Sequence, residues 1–352
     1  MAYCALPNTT REQKRKDYEN DPGNVRETWE NLRNSIIGIG RGYFGNDFPA
    51  TEIKDQLHDI WDELIHAAKI TPAASAEHDR LVLLVIEARE LGIFTQNKED
   101  RAAASASTSP SQIRDEVVLP NGQRLWIDLP YLTQEVTDSW TKESMGFTRA
   151  ERESVAVWTA KLCAAGVCSD DLSRCALWLF KQALETDRQL IEDDGQGDSK
   201  GDKEDTCPTI QDLLPACLAW LKYSNIKLVR LSQANYTGIH SSDGGHDDTT
   251  MPGNLAVKAG VTQVGFSVQR WLFWRQRFKD LYRSEVPSVV KLAKSCFDAS
   301  IFSGMDVGIS IPGEKIYLTR LFEALDKEME AREFKECVDA EDIDIDMDWD
   351  QE

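Results

Sequence analysis

Glu63 and His66 stand one helical turn apart in ELIH, the spacing that turns a carboxylate and an imidazole toward one metal ion from a single helix face. A di-metal bundle needs that pair twice, with two further carboxylates opposite. Here His58 and Asp55 lie two turns earlier on the same helix instead, so the segment reads as a polar helix edge. GRGYFG, residues 40 to 45, matches the glycine spacing that lets a backbone approach a pyrophosphate at a helix start. TWENLRNSII before it reads as helix and no strand–helix alternation follows, which makes it an ordinary inter-helix loop. HSSDGGHDD gathers His240 and His246 with Asp243, Asp247 and Asp248, but a Gly-Ser loop does not preorganise ligands. The insertion at 192–205 fails the calcium-loop register, and GISIPG around Ser310 departs from the nucleophile elbow in its last position and lacks a preceding strand. These segments predict no catalytic residue, no cofactor and no metal.

GFSVQRWLFWRQRFKDLYRSE, residues 265 to 285, poses a sharper question, because its large aromatics and five bases are what a nucleic-acid grip would need. At about 100° per residue, Trp271, Trp274, Phe278, Leu281 and Tyr282 share one third of the helix, with Arg275, Lys279 and Arg283 along one edge and Arg270 and Arg277 along the other. Stacking on bases requires exposed rings, whereas these share an inward stripe. The segment is predicted to be a core helix with basic borders, which leaves Arg275, Lys279 and Arg283 as a docking edge for an acidic segment.

Such a segment exists at the C-terminus. In DIDIDMDWD, Ile343, Ile345, Met347 and Trp349 alternate with aspartates, so an extended chain shows one apolar and one acidic face, as in peptides that add to a sheet edge or lie on a basic groove. The competing reading is a solvated, disordered tail.

The elements that must position these residues are helical. Sixty acids against 40 bases give a net charge of −20, which opposes general attraction to nucleic acid. Three stretches, 192–205, 240–248 and 338–352, hold most of it and leave about −4 for everything else, so the packed part is nearly balanced. No secretory leader and no apolar run of membrane length is present, and the eight cysteines are scattered without a CxxC pair. These features predict a soluble intracellular protein, cytoplasmic or nuclear, with reduced core cysteines. Thr51 caps one helix, Gly92 ends another, and Thr148 with Glu151 has capping-box spacing before a helix that stops at Gly166. Further helices are predicted over 169–187, 209–223, 267–284, 287–302 and 314–337, nine to eleven in all. Asn121-Gly122 between two apolar runs predicts one small β-hairpin near 116–127.

The expected architecture is all-α, a multi-helix bundle-like globular protein with that hairpin. It has a flexible arm at 1–23, a helical part at 24–96, a linker at 97–112, a main domain at 113–337 interrupted by a disordered acidic insertion at 192–206, and a disordered acidic tail at 338–352.

LWIDLPYLTQEVTDSW, AKLCAAGV, CALWLFKQALE, GFSVQRWLFWRQRF and LTRLFEAL, in that order between residues 116 and 330, resemble a family of uncharacterised fungal proteins known only as a domain of unknown function. Trp-x-Asp-Leu-Pro and Arg-Trp-x-x-Trp are the most specific pieces. The resemblance implies a soluble, predominantly helical protein with no established activity, and it transfers no catalytic residue. Two function classes follow. The first is a non-catalytic interaction or regulatory protein with a protein partner, working through the tail and the basic-edged helix. The alternative is a helical enzyme or small-molecule-binding protein, accessory to a fungal metabolic pathway.

Overall fold

The computed structural model describes residues 25–45, 50–97, 114–191, 207–237 and 248–333, together with Val338 and Ile343. The flexible arm at 1–23, the linker residues 98–112, the acidic insertion at 192–206 and most of the tail therefore lie outside the described residues. The chain divides into two compact units, residues 1–143 and 144–352. Twelve α-helices are present among the described residues, so the architecture is all-α.

In the first unit, α1 (Val25–Gly45), α2 (Ala50–Ile70) and α3 (Glu77–Glu90) pack on one another, and α4 (Leu132–Asp138) packs on α2. The helical period of α2 puts Ile53, Leu57, Ile60, Trp61 and Leu64 on one stripe, and all five are at most 5% exposed. α3 ends as expected, with Gly92 at a φ of +73°, where a side chain would be strained. GRGYFG is not a loop but the last turns of α1. Its backbone amides are spent on helical bonds, so it offers no cradle for a phosphate.

The predicted hairpin is not borne out. Gly122 does turn the chain, with a φ of +80° and a bond from its N–H to the Leu119 carbonyl, yet the pairing stops at a single bridge between Val118 and Arg124. Arg124 explains why. Its backbone N–H (2.7 Å) and its guanidinium Nε (3.1 Å) and Nη2 (2.8 Å) all donate to Asp128, which coils the chain where a second strand would run. The Arg124 guanidinium holds the Asp128 carboxyl below its ordinary range. The short ladder that exists instead joins β1 (Thr95–Asn97) to β2 (Arg114–Glu116), antiparallel.

In the second unit, α5 (Arg149–Ala164) lies along α7 (Ile210–Tyr223) and α6 (Ser169–Phe180), α8 (Asn225–Gln233) closes one side, and α9 (Asn254–Lys258) is a single short turn. α10 (Val268–Tyr282) packs on α11 (Pro287–Asp306), which also packs on α7 and is followed by α12 (Glu314–Ala331). Thr148 and Glu151 form the expected capping box: the Glu151 N–H donates to the Thr148 hydroxyl at 3.3 Å, and the Thr148 N–H donates to the Glu151 carboxylate at 2.7 Å. Thr148→Ala is therefore expected to cost about 1 kcal/mol, read as a lowered urea midpoint with an unchanged m-value. Beneath the cap, the buried Arg152 guanidinium donates to the carbonyls of Ser144 (3.1 Å), Phe147 (2.7 Å) and Asp212 (3.2 Å), joining the entry turn to α7.

The six cysteines among the described residues are free thiols, and Cys163, Cys175, Cys217 and Cys296 are buried. Burial pushes the Cys163 thiol up to about 11. No described helix is long and apolar enough to cross a membrane.

Candidate functional site

α10 settles what its aromatic and basic residues do. Ser267 caps it by accepting from the Arg270 N–H at 3.1 Å, and Trp271, Trp274, Phe278 and Leu281 are at most 4% exposed. Trp274 meets Phe180 edge-on, with ring centroids 4.8 Å apart. The Trp271, Trp274 and Phe278 rings are therefore closed to a base, and of the aromatic stripe only Tyr282, at the helix end, is half-buried.

On the borders of α10, Arg270, Arg275 and Lys279 are enclosed as well, while Arg277 is half-buried. α6 ends in a π-helical turn, Lys181–Glu185, whose widened geometry delivers Glu185 into the core at 0% exposure. Arg270 meets it fork to fork, Nε donating to Oε1 at 2.6 Å and Nη2 to Oε2 at 2.9 Å. Trp274 Nε1 adds a bond to Oε1 at 2.7 Å and the Gly253 N–H one to Oε2 at 2.6 Å. The same guanidinium donates to the carbonyls of Thr250 (2.9 Å), Met251 (3.3 Å) and Gly265 (2.8 Å), so it ties the two loops that flank α9 to α6. A second pair lies on the other border, where buried Arg275 bonds Glu314 of α12 and donates to the Ser300 carbonyl at 2.7 Å. Burial lowers the pKa of Arg275, and Glu314 opposes that shift. Lys279 is 4% exposed, while Arg283, at the helix end, is exposed. Of the three cations assigned to a docking edge, two are thus inside the fold, because tertiary packing turned the helix border into core.

Of the four alternating apolar tail positions, Ile343 is the one among the described residues, and it is buried, at 8% exposure. Ile345, Met347 and Trp349 lie outside the described residues. His66 is buried and Glu63 half-buried on α2, and no group of three or more His, Cys, Asp or Glu comes together to hold a metal among the described residues. Residues 240–247 are outside the description, while Asp248 accepts from the buried Lys181 ammonium at 3.0 Å. Ser310 is exposed between α11 and α12 with no strand before it, as expected.

The sequence reading missed a cluster in the first unit. His58 on α2 donates from Nδ1 to Glu135 Oε1 on α4 at 2.5 Å, and the Tyr131 ring lies against the imidazole with centroids 4.4 Å apart. The Lys54 ammonium, one turn before His58, sits 5.8 Å from the centre of the Tyr131 ring. Leu129 and Tyr131 have φ of +47° and +65°, backbone values that cost non-glycine residues about 1–3 kcal/mol each. Trp61 helps to hold that turn by donating from Nε1 to the Pro130 carbonyl at 2.8 Å. The Trp-x-Asp-Leu-Pro element is thus a structural turn: Trp126 is in the core, Asp128 is locked by Arg124, and Pro130 is bonded to Trp61, which together aim Tyr131 at His58. The only local signal was His58 on the polar edge of α2; its partner is 77 residues away.

A family model described as "Protein of unknown function (DUF3632)" matches residues 61–278. Oxopyrrolidines biosynthesis cluster protein G of Penicillium oxalicum (strain 114-2 / CGMCC 5302) is 26% identical over 234 residues, which cover 65% of this chain and 60% of that protein. The chain thus spans about 60% of the length of this relative. No solved structure matches.

Proposed function

The chain belongs to the DUF3632 family of proteins of unknown function, and we propose that it acts inside the cell, in cytoplasm or nucleus, as an interaction or regulatory protein whose acidic tail is the contact element. The observation that supports this reading is the burial of Ile343 at 8% exposure, within a tail that carries eight acids and no base. A fully solvated tail would leave that side chain in water. Burying one isoleucine is worth about 1.5–3 kcal/mol, while fixing each backbone residue around it costs about 1–2 kcal/mol. A contact held by Ile343 alone is therefore weak, and a partner that engages Ile345, Met347 and Trp349 along with it can replace it. Arg283 remains as an exposed cation at the end of α10; Arg275 and Lys279 serve the core and take no part. The name of the Penicillium relative suggests an accessory role in a biosynthetic pathway.

Affinity purification with mass spectrometry tests this, comparing the full chain with one ending before Val338. The expected result is a partner recovered with the full chain and depleted at least tenfold by truncation. A partner recovered equally by both would end the tail reading. A small molecule recovered with both, and no protein, would favour the alternative of a helical enzyme or ligand carrier, for which the His58 cluster is the specific observation.

A further inference from the structure

We propose that His58, Tyr131, Glu135 and Lys54 form a general-base site for small, flat, neutral carbon acids, an activity separate from any contact made by the tail. An ionised carboxylate has no proton to give, so the Nδ1 proton belongs to His58 and Glu135 accepts it. That bond sets the tautomer: the neutral imidazole keeps its lone pair on Nε2. Nε2 makes no hydrogen bond among the described residues, and the side chain is 18% exposed. A base whose tautomer is held from behind by a carboxylate, on a ring that is only partly buried, is the proton-accepting half of many catalytic sites.

The surroundings fit the rest of such a step. The Tyr131 ring packs beside the imidazole and gives a flat substrate an aromatic edge to lie against. Burial holds the Tyr131 phenol above its ordinary pKa, so at neutral pH it is an O–H donor and not a second base. The Lys54 ammonium brings a positive charge to 5.8 Å from the centre of that ring. The strained turn at Leu129 and Tyr131 is also the kind of backbone that folds retain around sites. Glu135 is 26% exposed at its side chain and bonded to His58, so it acts as a positioning residue, and His58 is the catalytic one.

The proposed step is a proton abstraction. The substrate C–H bond breaks, its proton goes to His58 Nε2, and the electron pair moves into the substrate toward an electronegative atom whose new charge the Tyr131 O–H and Lys54 ammonium receive. The proton then leaves the imidazolium to water or back to product. No oxidant, metal or cofactor is required.

5-Nitrobenzisoxazole is a suitable probe, because removal of its ring C–H proton breaks the N–O bond and forms a nitrile and a coloured phenolate. With the full chain, phenolate release should exceed the buffer rate at least tenfold. His58→Gln should return it to background, since the other described histidines, His66 and His78, are buried. Glu135→Gln should lower kcat severalfold with KM for the probe unchanged. In the same variant, long-range proton–nitrogen NMR should show that His58 has lost its Nδ1–H preference, while the split between kcat and KM separates positioning from a purely structural role. Tyr131→Phe should retain the fold and lose severalfold in rate, and circular dichroism checks that each variant is folded. A full chain no faster than buffer, or a folded His58→Gln variant as fast as the natural chain, overturns the proposal. Truncation of the tail should leave the rate unaltered, so this test and that of the tail fail independently.

Discussion

Arg270→Met should remove about 3–5 kcal/mol of stability, the typical cost of stranding one member of a buried ion pair. The loss is expected at the upper end because the guanidinium serves two sets of partners. Without it the Glu185 carboxylate, at 0% exposure, keeps only Trp274 Nε1 and the Gly253 N–H. The carbonyls of Gly265 and Met251 lose the guanidinium as a donor as well, and that of Thr250 is left with the Gly265 N–H. Water cannot replace those bonds without opening the packing between α6 and α10. The measurement is urea unfolding of the full chain beside the Glu185→Gln single and the Arg270→Met/Glu185→Gln double variants. The double variant should be more stable than the sum of the singles predicts, by at least 1 kcal/mol, because it leaves no unpaired charge. Additive losses, or an Arg270→Met cost below about 1 kcal/mol, would show that the pair is not a latch. The hydrogen-bond census argues against that outcome: each Glu185 oxygen accepts two bonds, and a buried charge so fully satisfied is costly to disturb from either side.

The same pair shows where a sequence stops being informative. The Trp271, Trp274, Phe278 and Leu281 stripe was legible because helix period alone puts those positions on one face, and the Thr148 and Glu151 cap because both partners lie within three residues. Arg270 and Glu185 are 85 residues apart, and KQALE reads locally as an ordinary amphipathic turn. Nothing in it announces the π-helical widening that carries Glu185 inward. A basic border therefore looked like surface. The His58 cluster was hidden for the same reason, since α2 and α4 meet only after Trp61, Pro130 and Asp128 have set the turn between them. GRGYFG misled in the other direction: its glycines suggest a loop, but glycine lowers helix stability by only about 1 kcal/mol per residue relative to alanine, and packing within the first unit outweighs that. The hairpin failed because Asn121-Gly122 specifies a turn and not the strands on either side. Turn chemistry is local, whereas a ladder needs a partner of the right length, and the Arg124 to Asp128 bonds claimed that partner first.

Gly304→Ala tests whether the second buried pair obeys the same logic, and here two principles give opposite signs. Gly304 lies inside α11, where alanine should be favoured by about 1 kcal/mol from helix propensity alone. Yet a Cβ at this position would fall 2.8 Å from the Glu314 Cδ and 2.9 Å from its Oε1, inside the distance that real contacts allow. Glu314 cannot retreat freely, since it is buried and bonded to Arg275, which is itself at 0% exposure and tied to the Ser300 carbonyl one turn earlier on α11. Overpacking typically costs about 1–3 kcal/mol, and pushing the carboxylate away would also weaken a buried charge pair, whose loss costs about 3–5 kcal/mol. The clash should therefore outweigh the propensity gain, for a net destabilisation of about 2–3 kcal/mol read as a lower urea midpoint. Glu314→Gln provides the check on cause: its amide still fills the space beside Gly304 but carries no charge, so in that background Gly304→Ala should cost only the steric part. A stabilising Gly304→Ala would mean that α12 shifts without resistance, and the Arg275 to Glu314 contact would then be a passenger of the fold and not one of the bonds that fix α12 to it.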